Sequence, residues 1–384
     1  MDARSNKVGC WPTQQQELLF RAALLQGKDA IECWQEWKSN VDISLIDDSS
    51  LRLLPQLYRN LQMQGVTDPL MVKLKEFYQQ AWSENQILFH NMAGLLNRLH
   101  NAGIQTMILK GAALLLLYYK DYGLRPMLDF DILVHTAQAA TAFDLLVKWG
   151  WMSKIEWPEK FQEPHIYFRN DYGFINITAK QKIDVHRHVL RKSCQANADD
   201  DFWKAAVPVK FNNVSTCALN PADQLLHVCV HGEEWHFRAE MHLLADAMSI
   251  LNYAKSEINW DRLIGQAEER GFILPLRDVL EYLADVLHAP IPPAVLRRLQ
   301  TISASKKERR VYEIKTKSRR QTIFNVFLVH FEHYIRLVEG FRLQQKFIWF
   351  PKYIQHVWSL ESLWKLPFFV ISKSVGKIWN SRKL

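Results

Sequence analysis

Two periodicities divide the chain. Apolar residues recur every three or four positions from Gln14 to Gln26, Ala30 to Trp37, Leu51 to Gln64 and, over a longer stretch, Pro69 to Leu99. In the last of these Val72, Leu74, Phe77, Trp82, Ile87, Leu88, Met92, Leu95 and Leu96 trace one helical face. Asp68 is placed to cap that helix and Asn101-Ala102-Gly103 to end it. Beyond Gly103 a period of two appears. Met107 to Lys110 predicts a strand that breaks at Gly111, Ala112 to Tyr119 a helix, and Asp129 to Val134 a second strand. Thr136 is expected to cap a helix running to Trp149, after which Trp151 to Ile155, His165 to Arg169, Gly173 to Thr178 and Lys182 to His188 read as strands of a mixed sheet.

From Asn220-Pro221, a sound helix start, the helical period returns. Helices are expected over Pro221 to His231, Ala239 to Tyr253, Trp260 to Glu269, Leu274 to Leu287 and Pro293 to Ile302, separated by Gly232, Gly271 and the Pro290 to Pro293 turn. The pattern predicts an α+β protein. An N-terminal helical region over 1–103 precedes a small mixed sheet in 104–218, a helical domain spans 219–304, and a basic, aromatic tail fills 305–384.

Composition changes this picture in two places. The five cysteines are odd in number, far apart and never in a Cys-x-x-Cys pair, which argues against a disulfide framework or zinc ribbon and for a reducing compartment. With no apolar leader and no run long enough to span a bilayer, a cytoplasmic protein is expected. The net charge of +8 is uneven: 306–320 and 321–384 carry +6 each, leaving −4 for the remainder. Only the tail is therefore an electrostatic footprint for an anionic surface, and a long nucleic-acid acceptor is not expected at the acidic half. The tail's aromatics fit helical packing, peripheral contact with an anionic membrane, or nucleic acid, packing being the commoner meaning of such spacing.

The chemistry concentrates between Met107 and Val134. Asp129 and Asp131 are two apart on one predicted strand, so both carboxylates point to one face, where they repel unless a cation or shared proton compensates. The plainer alternative is a solvated strand end. In Ile183-Asp184-Val185-His186-Arg187-His188 the polar Asp184, His186 and His188 share a face opposite Ile183 and Val185.

LKGAALLLLYYKDYGLRPMLDFDILV resembles the polymerase-β-like nucleotidyltransferase superfamily, which sets a glycine turn and a helix before an Asp-x-Asp strand. More narrowly it is similar to the large, mostly uncharacterised bacterial branch in which Lys-Gly replaces Gly-Ser. WGWM, KIDVHRHVL, LNPADQLLHVCVHG and HLLADAMSILN extend the likeness over roughly 104–287. The resemblance implies a transferase moving a nucleoside monophosphate from an NTP, ATP being the expected one, to a small-molecule or protein acceptor by a two-metal scheme. It implies Asp184 as a third carboxylate beside Asp129 and Asp131, the three holding two Mg²⁺ ions, or Mn²⁺ in their place.

On that reading Gly111 lets the turn approach phosphate, and Lys110 and Arg125 are its cationic partners, Arg125 the better for a bidentate contact. A surface ion pair is the plain alternative for both. Ala112 stands where the superfamily has Ser, so the turn offers no hydroxyl, and the gap from Gly111 to Asp129 is long. His227 and His231, four apart on one helix face, invite a zinc reading, yet HVCVH lacks the glutamate of a zincin, and cleft lining is the better assignment. His186 and His188 are candidates for the same cleft. Asp246, on an otherwise apolar helix, is expected to meet a buried partner or the cleft. The alternative to an enzyme is a catalytically inactive module of this fold that senses nucleotides or binds a partner.

Overall fold

The structure is a computed structural model that describes residues 11–154, 168–191, 193–195, 197–235, 241–317, 323–339, 341–358, 360 and 362–365. Seven strands among these residues form one mixed sheet. They are β1 (Thr106–Ile108), β2 (Phe130–Val134), β3 (Met152–Ser153), β4 (Asp171–Asn176), β5 (Gln181–His186), β6 (Val207–Phe211) and β7 (Val214–Ala218), in the order β3-β4-β5-β2-β1-β7-β6. β2 runs antiparallel to β1 and parallel to β5, so the strand that carries Asp131 sits at the centre, buried on both faces.

Register assigns the faces. Thr106↔Val134, Met107↔Leu133 and Ile108↔Ile132 pair across β1 and β2, and Phe130↔Ile183, Asp131↔Asp184 and Ile132↔Val185 across β2 and β5. Phe130, Ile132, Val134, Ile183 and Val185 therefore share one face and join Phe89, Phe143 and Leu146 in an apolar core. The opposite face carries Met107, Asp131, Leu133, Asp184 and His186. Met107 and Leu133 there belong to a second core that takes in the N-terminal and C-terminal helices alike.

The N-terminal helices are α1 (Gln14–Leu24), α2 (Lys28–Asn40), α3 (Asp48–Leu51), α4 (Leu54–Met63) and α5 (Leu70–Asn101). Thr13 and Gln16 close a capping box at α1. At α5 the Asp68 carboxylate accepts the Leu70 N–H at 2.9 Å, and Gly103, at φ +77°, ends the turn. α6 (Lys110–Leu114) runs into a π-helical turn at Leu115–Tyr119. α7 (Ala139–Lys148) and α8 (Asp200–Lys204) flank the sheet strands in the chain. α9 (Pro221–Trp235), α10 (Met241–Tyr253), α11 (Trp260–Arg270), α12 (Ile273–Leu287) and α13 (Pro293–Thr301) follow, with α1 packing on α10 and α12. In the tail are α14 (Lys306–Lys317), α15 (Ile323–Leu337) and α16 (Leu343–Val357). Tyr334, Trp349, Tyr353 and Trp358 bury with Phe168, while Leu343, Phe347, Ile348 and Trp364 stay exposed. No helix of the described residues is long and apolar enough to cross a membrane.

Several local expectations need correcting. β2 starts at Phe130, so Asp129 sits on the bend before the strand. Thr136 does not cap a helix: its hydroxyl donates to the Arg187 carbonyl at 3.1 Å, and α7 starts three residues later. Gly232 lies inside α9 instead of ending it. Phe168 and Arg169 lie outside any strand, and His165 to Tyr167 fall outside the described residues. The hairpin of β6 and β7 adds two strands to those expected, and Asn212-Asn213, both at positive φ between Phe211 and Val214, forms its two-residue turn.

Candidate active site

The long connection from α6 to β2 is anchored. Asn85, fully buried on α5, donates from Nδ2 to the carbonyls of Tyr122 at 2.7 Å and Arg125 at 2.9 Å. Asp121 accepts from Tyr78 Oη at 2.9 Å and from the Gly123 N–H at 2.9 Å. These bonds deliver the chain into β2 along a fixed path, with Asp129 at its entrance.

At the β1–α6 junction the strained residue is Lys110, at φ +45°, rather than the glycine after it. A non-glycine residue in the left-handed region costs about 1–3 kcal/mol and persists where its surroundings hold it. Here the holding group is visible: Lys110 Nζ meets Asp131 Oδ1 at 2.7 Å. His186 Nε2 meets the same oxygen at 2.9 Å. One strand over, Lys154 Nζ meets Asp184 Oδ1 at 2.9 Å. A Cβ on Gly173, which pairs with Asp184 across β4 and β5, would lie 2.5 Å from Lys154 Cδ and 2.9 Å from Asp184 Oδ1, so the missing side chain makes room for that ion pair.

Electrostatics separate the carboxylates. Asp129 is pushed up to about 6 by burial and by the neighbouring Asp131 and Asp184 charges. Burial also works against ionising Asp131, but the Lys110 ammonium and the His186 hydrogen bond override it and hold that carboxyl far below the usual range. Lys110 is in turn raised, burial being outweighed by Asp131, with Asp171 and Asp129 adding to it. Asp171, two residues before Gly173 on β4, thus belongs to the same electronegative face, and sequence reasoning missed it. Lys154 was missed too. Strand alternation from Gly173 finds the first, whereas nothing local marks the second.

Arg125 departs from its expected place. Its Nε and Nη2 grip Asp246 of α10 at 2.7 and 2.9 Å, and Tyr119 Oη donates to the same carboxylate at 2.8 Å. Asp246 is fully buried and Arg125 nearly so. Burial disfavours the guanidinium charge, yet Asp246 raises its pKa overall. A bidentate contact does form, but with a carboxylate in the helical domain, which leaves Arg125 as an internal strut instead of a free phosphate clamp. Gly111 is corrected in the same way. It is buried, and a Cβ there would collide with Arg125 Nη1, so the space it leaves is filled by that guanidinium. Gly111→Ala is accordingly expected to cost about 1–3 kcal/mol by overpacking a pinned side chain. Urea denaturation checks this, and an unchanged midpoint contradicts it.

The histidines divide. His186 lies in the site, and its Nδ1 is buried without a hydrogen-bond partner among the described residues. His188 does not: β5 ends before it, and its Nδ1 meets Asp199 Oδ2 at 2.7 Å to tie down the following loop. His227 and His231 of α9 sit edge to face at 5.6 Å, with Lys110, Asp131 and His186 near enough to act on both electrostatically. Burial first, then Lys110, lowers His227 to about 3 and His231 well below its ordinary value.

These shifts fix a pH dependence. A histidine whose folded pKa lies below its unfolded value stays neutral in the fold while the unfolded chain takes up a proton. Stability complete above about 6.5 is therefore lost as pH falls toward the folded value, by up to about 1.4 kcal/mol per pH unit for each such group. His227, His231 and His242 all titrate in that sense. Asp129 opposes them, gaining a proton in the fold as pH drops through about 6. With His100 lowered in the same sense and Asp223 raised alongside Asp129, four groups against two predict a net fall in melting temperature between pH 7.5 and 5. A flat or rising profile contradicts it.

Among the described residues no group of three or more His, Cys, Asp or Glu side chains is gathered to hold a metal ion as it stands. The donor chemistry nevertheless fits a divalent cation: Asp131 and Asp184, side by side on one face, carry the hard oxygen ligands Mg²⁺ takes, with Asp129 before the same strand. In their present positions Lys110 and Lys154 supply that counter-charge to Asp131 and Asp184.

The crystal structure of an antigenic nucleotidyltransferase-like protein from Paracoccidioides brasiliensis is 17% identical, with 55% of this chain and 97% of that chain covered at a TM-score of 0.37. No curated protein matches. A family described as uncharacterised nucleotidyltransferase matches residues 49–288. That span covers more than half of the chain and takes in α5, the whole sheet, the three aspartates and Asp246, so the protein belongs to this uncharacterised nucleotidyltransferase family.

Proposed function

We propose that the chain is a Mg²⁺-dependent nucleotidyltransferase that moves a nucleoside monophosphate from an NTP to a small-molecule or protein acceptor. The observation that carries this reading is the pairing of Asp131 with Asp184 on neighbouring parallel strands, with Asp129 at the strand entrance and its carboxyl raised to about 6 by burial and by the other two. Asp129, Asp131 and Asp184 would hold the cation, which when bound neutralises triphosphate charge and makes the acceptor oxygen more acidic. Lys110, held in a strained conformation beside Asp131, is the ammonium nearest to hand for a phosphate oxygen. His186 fixes the Asp131 carboxylate, while Arg125 acts at one remove by packing over Gly111. The test is incubation with each α-labelled NTP and Mg²⁺, for the native chain and for Asp129→Ala. Label transfer by the native chain alone supports the reading, and its absence with every NTP sinks it.

One observation favours a second reading, an inactive module for nucleotide sensing or partner binding. Asp131, Asp184 and Arg125 are all engaged in ion pairs within the chain. Such a module binds nucleotide without regard to Mg²⁺, or not at all.

A further inference from the structure

Lys154, Gly173, Asp184 and Asp131 stand in one row across the sheet. Lys154 directly follows β3, where Ser153 pairs with Phe174, and its N–H donates to the Gly173 carbonyl at 2.9 Å. Gly173 pairs with Asp184, and Asp184 with Asp131. Residues opposed across strands share a face, so the row reads ammonium, gap, carboxylate, carboxylate. Neighbouring strands lie about 4.8 Å apart, and only a long side chain crossing an empty position joins residues two strands apart. Glycine inside a strand marks the close approach of another group, and at Gly173 that group is the lysine stem, which a Cβ would meet at 2.5 Å. The stem's ammonium reaches Asp184 Oδ1 at 2.9 Å, and its charge is also felt at Asp129.

The other cations of the site are tied down. Arg125 is locked on the buried Asp246, and Lys110 is held in a strained backbone beside Asp131. The Lys154 side chain is 34% exposed, on a flexible four-carbon stem. We propose that Lys154 is a substrate-binding residue: it neutralises Asp184 while that carboxylate holds no metal, and turns to a β- or γ-phosphate oxygen of the NTP when a divalent cation takes Asp184 over. This assignment rests on the transfer reaction proposed above. Asp131 and Asp184 repel one another without compensation, so the free protein needs the ammonium where it stands. A divalent cation brings more charge to the same oxygen. The released ammonium then has a charge-assisted hydrogen bond to make with the triphosphate. Lys154 thus opposes metal binding when nucleotide is absent and favours nucleotide binding when metal is present, a double sign that a merely structural residue does not have.

Two titrations of the full chain separate these effects: Mn²⁺ alone, followed by the electron paramagnetic resonance of the free ion, and α,β-methylene-ATP at saturating Mn²⁺. Lys154→Met is expected to bind Mn²⁺ about threefold to tenfold more tightly than the native chain, and the nucleotide about tenfold more weakly. Lys154→Arg, which keeps the charge, should hold the nucleotide within about threefold of native. If Lys154→Met leaves either affinity unchanged or moves both in one direction, or if Lys154→Arg loses as much nucleotide affinity as Lys154→Met, the role of Lys154 is overturned and the transferase reading stands. No Mn²⁺ uptake or no nucleotide binding by the native chain overturns both.

Discussion

Asp246→Ala is expected to destabilise the protein by about 3–5 kcal/mol, the cost of leaving one member of a buried ion pair without its partner. The carboxylate is fully buried and receives Arg125 through two nitrogens and Tyr119 through its hydroxyl. Its removal strands a guanidinium that cannot shed its proton and a phenol that has lost its acceptor. The pair itself is a weaker asset than this suggests, because desolvating both charges offsets most of their attraction. Arg125→Met combined with Asp246→Leu should therefore recover most of the loss, to within about 1–2 kcal/mol of the native chain. Denaturant midpoints of the two singles and the double decide it. Additive losses would show that each side chain contributes through other contacts.

Asp131→Asn carries the largest expected effect on chemistry. The substitution keeps the shape of the side chain but removes the charge that an ion pair and a hydrogen bond converge on, Lys110 at 2.7 Å and His186 at 2.9 Å from one oxygen. Electrostatic stabilisation at such a site is worth several kcal/mol, so nucleotidyl transfer should fall on the order of 10³-fold. His186→Gln, which loses only the group that orients Asp131, should cost about 10–100-fold. An Asp131→Asn protein within a few-fold of native turnover would remove that residue from the machinery.

The acid face was readable because its signals are local: an Asp-x-Asp on an alternating strand, a second strand with Asp184 opposite two apolar residues, and helices marked by their stripes. Even Asp246 announced itself as a carboxylate in need of a partner. What no local pattern carries is the identity of that partner, 121 residues away in the chain. Arg125 beside an acid-rich strand reads as a phosphate ligand until the helical domain closes on it. Lys110 misled for a related reason. Glycine is the usual residue for a left-handed turn, but a favourable contact with Asp131 places the strain on the lysine instead. The β6–β7 hairpin is a different case: Asn212-Asn213 carries its turn signal, while Pro208 interrupts the alternation of the first strand.

Isothermal titration of ATP into the native chain and Asp184→Asn, each with and without Mg²⁺, tests the central claim most directly. The account predicts binding by the native chain that requires Mg²⁺ and is lost in Asp184→Asn, the aspartate placed in register with Asp131. ATP binding indifferent to Mg²⁺, or no binding by either protein, contradicts it.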